Sequence, residues 1–416
     1  MNIHKYLSIR ASLRALRDMP LGIYLRIRYL NTPLIKRQRL DLLPRKLAPS
    51  KKTILFIDHK IPSPDKDSGS YRIMQILKIL SSSYNLVFWP DNILGAPRHI
   101  AAMEDMGIEI VAPVSSQRFL KRYGRYFDIV ILSRPKVLKK YLNLVKATCI
   151  DAKVIYDTVD LHYMRLKRQA ELAENASEKI RLMRQARDYF HLETTGVIQT
   201  DQTWVVAREE QQALFAEHPH ANVRVVPNIH PLPSIRKRDF DDTRDVLFIG
   251  SFDHHPNIDA MRYCAAEVWP LIIRQIPSAR LIIIGPNPPP EIQELASPSV
   301  IVKGYVPDIE PELLRARVFL APLRYGAGMK GKIGQALSYG IPTVTTAIGA
   351  EGFSFSGNEL IITDNPSEMA KAVVALYTDK RIWEEYHHRG RVCMERFTPD
   401  AVQVSLHANL QCLFEQ

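Results

Sequence analysis

Short, continuous apolar runs alternate with helical patterns along almost the whole chain, and the alternation occurs twice. From Lys52 the runs are TILFID (53–58), NLVFW (85–89), IEIV (108–111), DIVILS (128–133), KVIYDT (153–158), TWVVA (203–207) and VRVVP (223–227). Between them Ile73, Ile76, Leu77 and Leu80 recur at helical spacing, a second helical stretch lies near Ala96–Met106, and a long charged one runs to about Glu193. Continuous hydrophobicity marks strands covered on both faces, and alternation with helices marks parallel pairing. Residues 228–244 break the rhythm with Pro231, Pro233 and the charge cluster RKRDFDDTRD. It then restarts with VLFIG (246–250), a helix from about Asn257, RLIIIG (280–285), VIVKG (300–304), VFLAP (318–322), TVTT (343–346) and LIIT (360–363), and ends in helices. At 416 residues the chain exceeds one core. The fold class expected is α/β: two Rossmann-like, doubly wound domains facing a cleft. Ligands of such sheets sit beyond the carboxyl ends of the strands, so the loops there are where function belongs.

Charge narrows the setting. Hydrophobic residues make up 46% and charged residues 24%, as in an ordinary globular protein. The net charge of +12 is concentrated: residues 1–52 hold thirteen Lys and Arg against Asp18 and Asp41, and the rest is nearly neutral. Ile9, Leu13 and Leu16 share one helical face there, with Arg10, Arg14 and Arg17 beside it, and LGIYLRIRYL follows. That mix suits a helix on an anionic membrane surface, where each Lys or Arg is worth about 1 kcal/mol; packing on the protein's own surface is the alternative. No apolar run reaches the ~18 residues of a membrane span, and the arginines interrupt any signal-peptide core. No nucleic-acid-binding motif occurs. Cys149, Cys264, Cys393 and Cys412 are far apart, which argues against a zinc site or disulfide framework and for a reducing cytosol.

Several strand-end loops carry chemistry. RYGAGMKGK (324–332) joins a strand to a helix. Gly326, Ala327, Gly328 and Gly331 keep its backbone open, while Arg324, Lys330 and Lys332 place cations where the helix dipole repels them. A bound diphosphate would offset that repulsion and accept both N–H and cationic donors; a solvated basic loop is the alternative. FIGSFDHHPN (248–257) sets Gly250 and Ser251 at another strand end, either as an anion cradle or as a plain tight turn. The neighbours His254 and His255 lack a partner with metal-ligand spacing. In the first half, DHKIPSPDKDSGSYR (58–72) supplies the helix-capping residues Asp67, Ser68 and Ser70 around Gly69. YDTVDLHYMRLKR (156–168) gathers Asp157, Asp160, His162 and Arg165, with a capped helix start and a surface salt bridge as the bland reading.

These stretches, with ARLIIIGPNPPPEI, VKGYVPDI and GAEG, resemble glycosyltransferases of the GT-B fold, family 4 (glycosyl transferases group 1), over nearly the whole chain from Lys52. DHKIPSPDKDSGSYR and YDTVDLHYMR are similar to a subgroup from bacterial surface-polysaccharide clusters. The resemblance implies a nucleotide-sugar donor on the C-terminal domain, an acceptor on the N-terminal one, and retention of anomeric configuration without a metal ion or other cofactor. The family has two glutamates with seven residues between them. Here the second is Gln335 and the first falls at Gly326 or Ala327. Glutamine keeps a hydrogen bond but loses the charge-assisted one, a difference of about 1 kcal/mol. Glu351, in GAEG, is expected to supply a carboxylate to the donor instead, a turn residue being the alternative.

The expected organisation is a basic amphipathic segment (1–50), an acceptor domain (51–230), a linker (231–244), a donor-binding domain (245–397) and a helix returning to the first domain (398–416). Asp160, His162 and Lys330 are the expected catalytic residues. Gly250, Ser251, Arg324, Gly328, Lys330, Lys332, Gln335 and Glu351 are expected to bind the donor, and Asp67, Gly69, Ser70, Arg72 and Arg165 to face the acceptor. The expected function is a retaining transferase at the cytoplasmic membrane face, moving a sugar to a glycan or polyprenyl-linked acceptor. A non-catalytic scaffold and a nucleotide-sugar epimerase or hydrolase are the alternatives.

Overall fold

The computed structural model describes residues 47, 49–92, 97–112, 115–234, 238–355 and 357–415. The basic amphipathic segment expected over residues 1–50, and the surface attachment resting on it, lie outside them except for residues 47, 49 and 50.

Each apolar run becomes a strand. β1 (Thr53–Lys60), β2 (Asn85–Asn92), β3 (Glu109–Ile110), β4 (Ile129–Ser133), β5 (Lys153–Asp157), β6 (Gln202–Val205) and β7 (Val223–Val225) form one parallel sheet in the order β3-β2-β1-β4-β5-β6-β7. β8 (Asp245–Ile249), β9 (Leu281–Ile284), β10 (Val300–Gly304), β11 (Ala316–Ala321), β12 (Thr343–Thr345) and β13 (Ile361–Ile362) form a second, in the order β10-β9-β8-β11-β12-β13. β1 shows why the runs are continuous. Leu55 faces Val87 on one side and Val130 on the other, and Ile54 to Ile57 are fully buried because helices cover both faces.

The helices that matter for the site follow from local rules. α1 (Ser68–Ser81) starts at Asp67, whose carboxylate accepts the Ser70 N–H at 2.7 Å, and it buries Ile73, Ile76, Leu77 and Leu80. The charged region after β5 is two helices, α2 (His162–Glu171) and α3 (Ala176–Gln199), packed side by side as a hairpin; Asn175 caps the second. α4 (His255–Tyr263) follows β8, and α5 (Gly331–Ser338) follows the basic loop after β11. α6 (Pro399–Gln411) returns to the first domain, where Val402, Leu406 and Leu410 join Ile54, Phe56 and Leu77 in one core.

The segment expected as a linker is strapped to the second domain. Arg238 is buried and donates to the carbonyls of Tyr339 (3.2 Å) and Ala316, while Arg391 reaches the Pro233 carbonyl at 2.7 Å. Glycines then let α5 approach the first domain closely. A Cβ on Gly331 would lie 2.6 Å from the Ser68 Cβ, and one on Gly334 would fall inside the contact shell of the His230 ring. Asn228 adds a hydrogen bond to the Met329 carbonyl at 2.9 Å.

Candidate functional site

The strand order reverses between β1 and β4 in the first sheet and between β8 and β11 in the second. Crevices open beyond the carboxyl ends at such points. In the first sheet Asp58 and Arg134 occupy these ends, the Arg134 Nε donating to Asp58 Oδ1 at 3.0 Å. Asp58 Oδ2 and Arg134 Nη2 are buried and have no hydrogen-bond partner among the described residues. The backbone here is strained. Arg134 has φ 79° and ψ 149°, and Val159, just past β5, has φ 65°. A β-branched residue at positive φ is a true outlier, and each such residue costs about 1–3 kcal/mol unless its surroundings enforce it. Both side chains crowd Gly69, where a Cβ would meet each at 3.1 Å.

Val159 aims the next residues into the cleft. Arg165 pairs with Asp160, and the His162 Nδ1–H donates to the Asp160 carbonyl at 3.2 Å, with Glu193 Oε1 at 3.5 Å. Glu193, fully buried, accepts the first N–H groups of α2 from His162 (2.8 Å) and Tyr163 (3.2 Å). Burial opposes the charge on both ring and carboxylate. Asp160 and Glu193 outweigh it for His162, whose pKa rises, and Arg165 and His162 outweigh it for Asp160, whose pKa falls. Glu210, also buried, accepts the N–H groups of Leu161 and Val206 at 2.9 and 3.1 Å, and burial pushes its carboxyl up to about 7.

The basic loop of the second domain lies directly opposite. A Cβ on Gly328, which has φ 66°, would lie 3.4 Å from both the Asp160 Cβ and Glu210 Oε1. Lys330 turns inward, 9% exposed, and its ammonium donates to the Gly328 carbonyl (2.6 Å) and Glu351 (3.3 Å). Burial lowers its pKa. Burial, with Lys330 nearby, brings Lys332 down to about 7; its Nζ donates to Asn257. The Gly331 and Lys332 N–H groups at the start of α5 have no acceptor among the described residues.

Glu351 is clamped across the cleft. Arg168 on α2 holds it with two hydrogen bonds, 2.8 and 2.6 Å, and also donates to the Gly326 carbonyl at 2.7 Å. A carboxylate therefore reaches the neighbourhood of Gly326, where the chain itself has no acid.

Other expected site residues are engaged elsewhere. Arg72 does not face the cleft: it is fully buried, paired with Asp157 at 2.9 Å and donating to the Val226 carbonyl. The Ser70 hydroxyl donates to Asp67 at 2.9 Å, and Lys60 approaches the same carboxylate. Gly250 is an internal tight turn, with the Asn257 amide where a Cβ would lie and bonded to the Ser251 carbonyl at 2.6 Å. Arg324 stands at the strand end but is paired with Asp259 of α4 (Nε 3.0 Å). Gln335 is half-buried on α5. Sequence reasoning missed Asp58, Arg134, Arg168, Glu193 and Glu210. Asp58 and Arg134 carried a signal, each as a charged residue at the end of an apolar strand.

Among the described residues no group of three His, Cys, Asp or Glu side chains is placed to hold a metal ion, and no helix is long and apolar enough to cross a membrane. A larger cavity, about 620 Å³, is lined by Asn358, His388, Arg389 and Cys393 and shares no residue with the cleft.

Residues 243–379 match the family model of glycosyl transferases group 1. A sucrose-phosphate synthase from Thermosynechococcus elongatus is similar over 88% of this chain and 100% of its own, at 12% identity and a TM-score of 0.64. Anabaena HepE, solved with UDP-glucose, is similar over 86% and 99%, at 14% identity and a TM-score of 0.61. The fold is that of the GT-B glycosyltransferases. An uncharacterized 44.6 kDa protein in the cps region of Klebsiella pneumoniae is 27% identical over 161 residues; the match spans 36% of this chain and 40% of that relative.

Proposed function

We propose that this chain, a GT-B protein whose second domain is of the glycosyl transferases group 1 family, is a retaining glycosyltransferase. It moves a sugar from a nucleotide-sugar to a glycan or lipid-linked glycan of a bacterial surface polysaccharide. The observation that carries the reading is the basic loop and the start of α5: two inward lysines and two N–H groups without an acceptor among the described residues, next to Gly328, which faces Asp160 across the cleft. When the bond between the sugar's anomeric carbon and the diphosphate breaks, charge develops on phosphate oxygens. Preorganised cations and N–H donors stabilise that charge far better than water does. In same-face displacement the acceptor oxygen bonds to the anomeric carbon as the diphosphate leaves, and the acceptor proton passes to the departing phosphate oxygen. No protein nucleophile is needed. Lys330 and Lys332 supply the positive charge a divalent cation would bring, so the reaction is proposed to be metal-independent. His162, held by Asp160 and Glu193, is proposed to orient a sugar hydroxyl. The relative in a cps region supports the polysaccharide role, and the basic residues 1–52 support attachment to the inner face of the membrane.

The test is a melting-temperature screen with UDP, GDP, dTDP and CMP, with UDP first because HepE was solved with UDP-glucose. A ligand at 100 times its dissociation constant stabilises by about 2.7 kcal/mol. One nucleotide should raise the melting temperature of the native chain and not of Lys330→Ala. No shift with any nucleotide would leave the non-catalytic scaffold.

A further inference from the structure

Helices that pack as a hairpin ordinarily close their seam with apolar side chains at i, i+3 and i+4. α2 and α3 do not. Where they meet nearest the cleft, α2 presents His162, Arg165 and Leu166 and α3 presents Gln185, Asp188 and Tyr189, at that same spacing on each helix. Between them is a cavity of about 300 Å³. The His162 ring lies on the Tyr189 ring, with centroids 4.9 Å apart and planes at 25°, which fixes one wall. His162 and Arg165 form the shared wall with the cleft, through Asp160 to Gly328 of the opposite domain.

We infer that this cavity is a subsite for one neutral pyranose unit of the acceptor. The inference rests on the transferase reading and deepens it. The chemistry of the lining selects the class. The charge of Arg165 is answered by Asp160, and that of a protonated His162 by Asp160 and Glu193, so the lining offers an anionic group no unanswered cation among the described residues. The Asp188 carboxylate, Gln185 amide and Tyr189 hydroxyl have no hydrogen-bond partner among the described residues. A carboxylate accepts from vicinal hydroxyls and repels phosphate, an amide both donates and accepts, and an aromatic ring beside them suits the apolar side of a sugar, whose C–H groups pack on the ring's negative face. The volume is at the small end of ligand cavities, about 300–1,000 Å³, which fits a single ring rather than a lipid chain. A sugar held there stands beside His162 and Arg165, and Asp160, which pairs with Arg165, faces Gly328 of the donor loop.

Saturation-transfer NMR of the full chain with the methyl pyranosides of glucose, galactose, mannose and N-acetylglucosamine tests this. At least one glycoside should give signals. Tyr189→Ala and Asp188→Asn should weaken them at least fivefold, and Tyr189→Phe, which keeps the stack, by less. Asp188 is exposed, so its variant keeps the fold, and an unchanged melting temperature verifies it for each. Lys330→Ala should leave the glycoside signals intact while removing the nucleotide-induced melting shift. Silence from every glycoside, or equal signals in Tyr189→Ala and Asp188→Asn, would overturn the subsite. Glycoside binding at the cavity with no response to any nucleotide would leave the subsite standing and sink the transferase reading; the reverse would sink the subsite alone.

Discussion

Lys332 and Glu351 flank Lys330 of the donor loop and bear on the charge presented there. Burial holds Lys332 near a pKa of about 7, so at neutral pH it is roughly half charged. A diphosphate favours the charged form. Binding should therefore take up about half a proton per complex at pH 7, and affinity should fall as pH rises from 6.5 to 8.5. Calorimetry in buffers of different ionisation enthalpy measures the uptake, and zero uptake would mean that Lys332 does not meet the anion. Glu351 competes for Lys330, so Glu351→Ala should bind a bare nucleoside diphosphate at least as tightly as the native chain. If its carboxylate also holds the transferred sugar, affinity for the intact nucleotide-sugar should drop by about 1 kcal/mol, roughly fivefold. A parallel loss for both ligands would assign Glu351 to structure alone. The sequence marked Lys330, Lys332 and Glu351 through their loops but gave no sign of Arg168, because its partner is 183 residues away.

At the scale of elements, α5 approaches the first domain closely through its glycines. Alanine is the better helix former by about 1 kcal/mol. At Gly334 its methyl group would enter the His230 ring, and overpacking of that kind costs about 1–3 kcal/mol. Sterics should win, and Gly334→Ala should lower the urea midpoint. The cost should shrink in a His230→Ala background, since the two sites are coupled; an equal cost in both would exclude the clash. The α2–α3 hairpin shows where reading elements from periodicity fails. Charged residues run through the turn at 172–175 without a proline or glycine, so the region reads as one helix. The Asn175 cap is the local signal that divides it.

At the scale of the molecule, His230 makes the domain interface sensitive to acid. It is 5% exposed, and burial lowers its pKa to about 4 from a usual 6.5. The unfolded chain therefore binds the extra proton first. The stability that a neutral His230 allows is complete above pH 6.5 and is lost as pH falls towards 4, by about 3 kcal/mol at most. Between pH 7 and 4.5 the native chain should lose more stability than His230→Gln, measured by urea unfolding. X-ray scattering should show the native chain expanding over the same range, as the α5 contact loosens. Identical pH profiles for the two proteins would show that the ring is solvated in solution.

The sequence by itself determined the order of strands and helices, the division into two sheets and the loops at their carboxyl ends. Hydrophobic periodicity is a local code, and each run reports its own burial. Tertiary structure alone decided which charges remain available in the cleft. Arg72 finds Asp157 across 85 residues and is buried away from the cleft, while Arg324 finds Asp259 across 65 and stays part-exposed at the strand end. Such pairings are set by through-space distance and by the cost of burying an unpaired charge, and neither is written in any short stretch of chain.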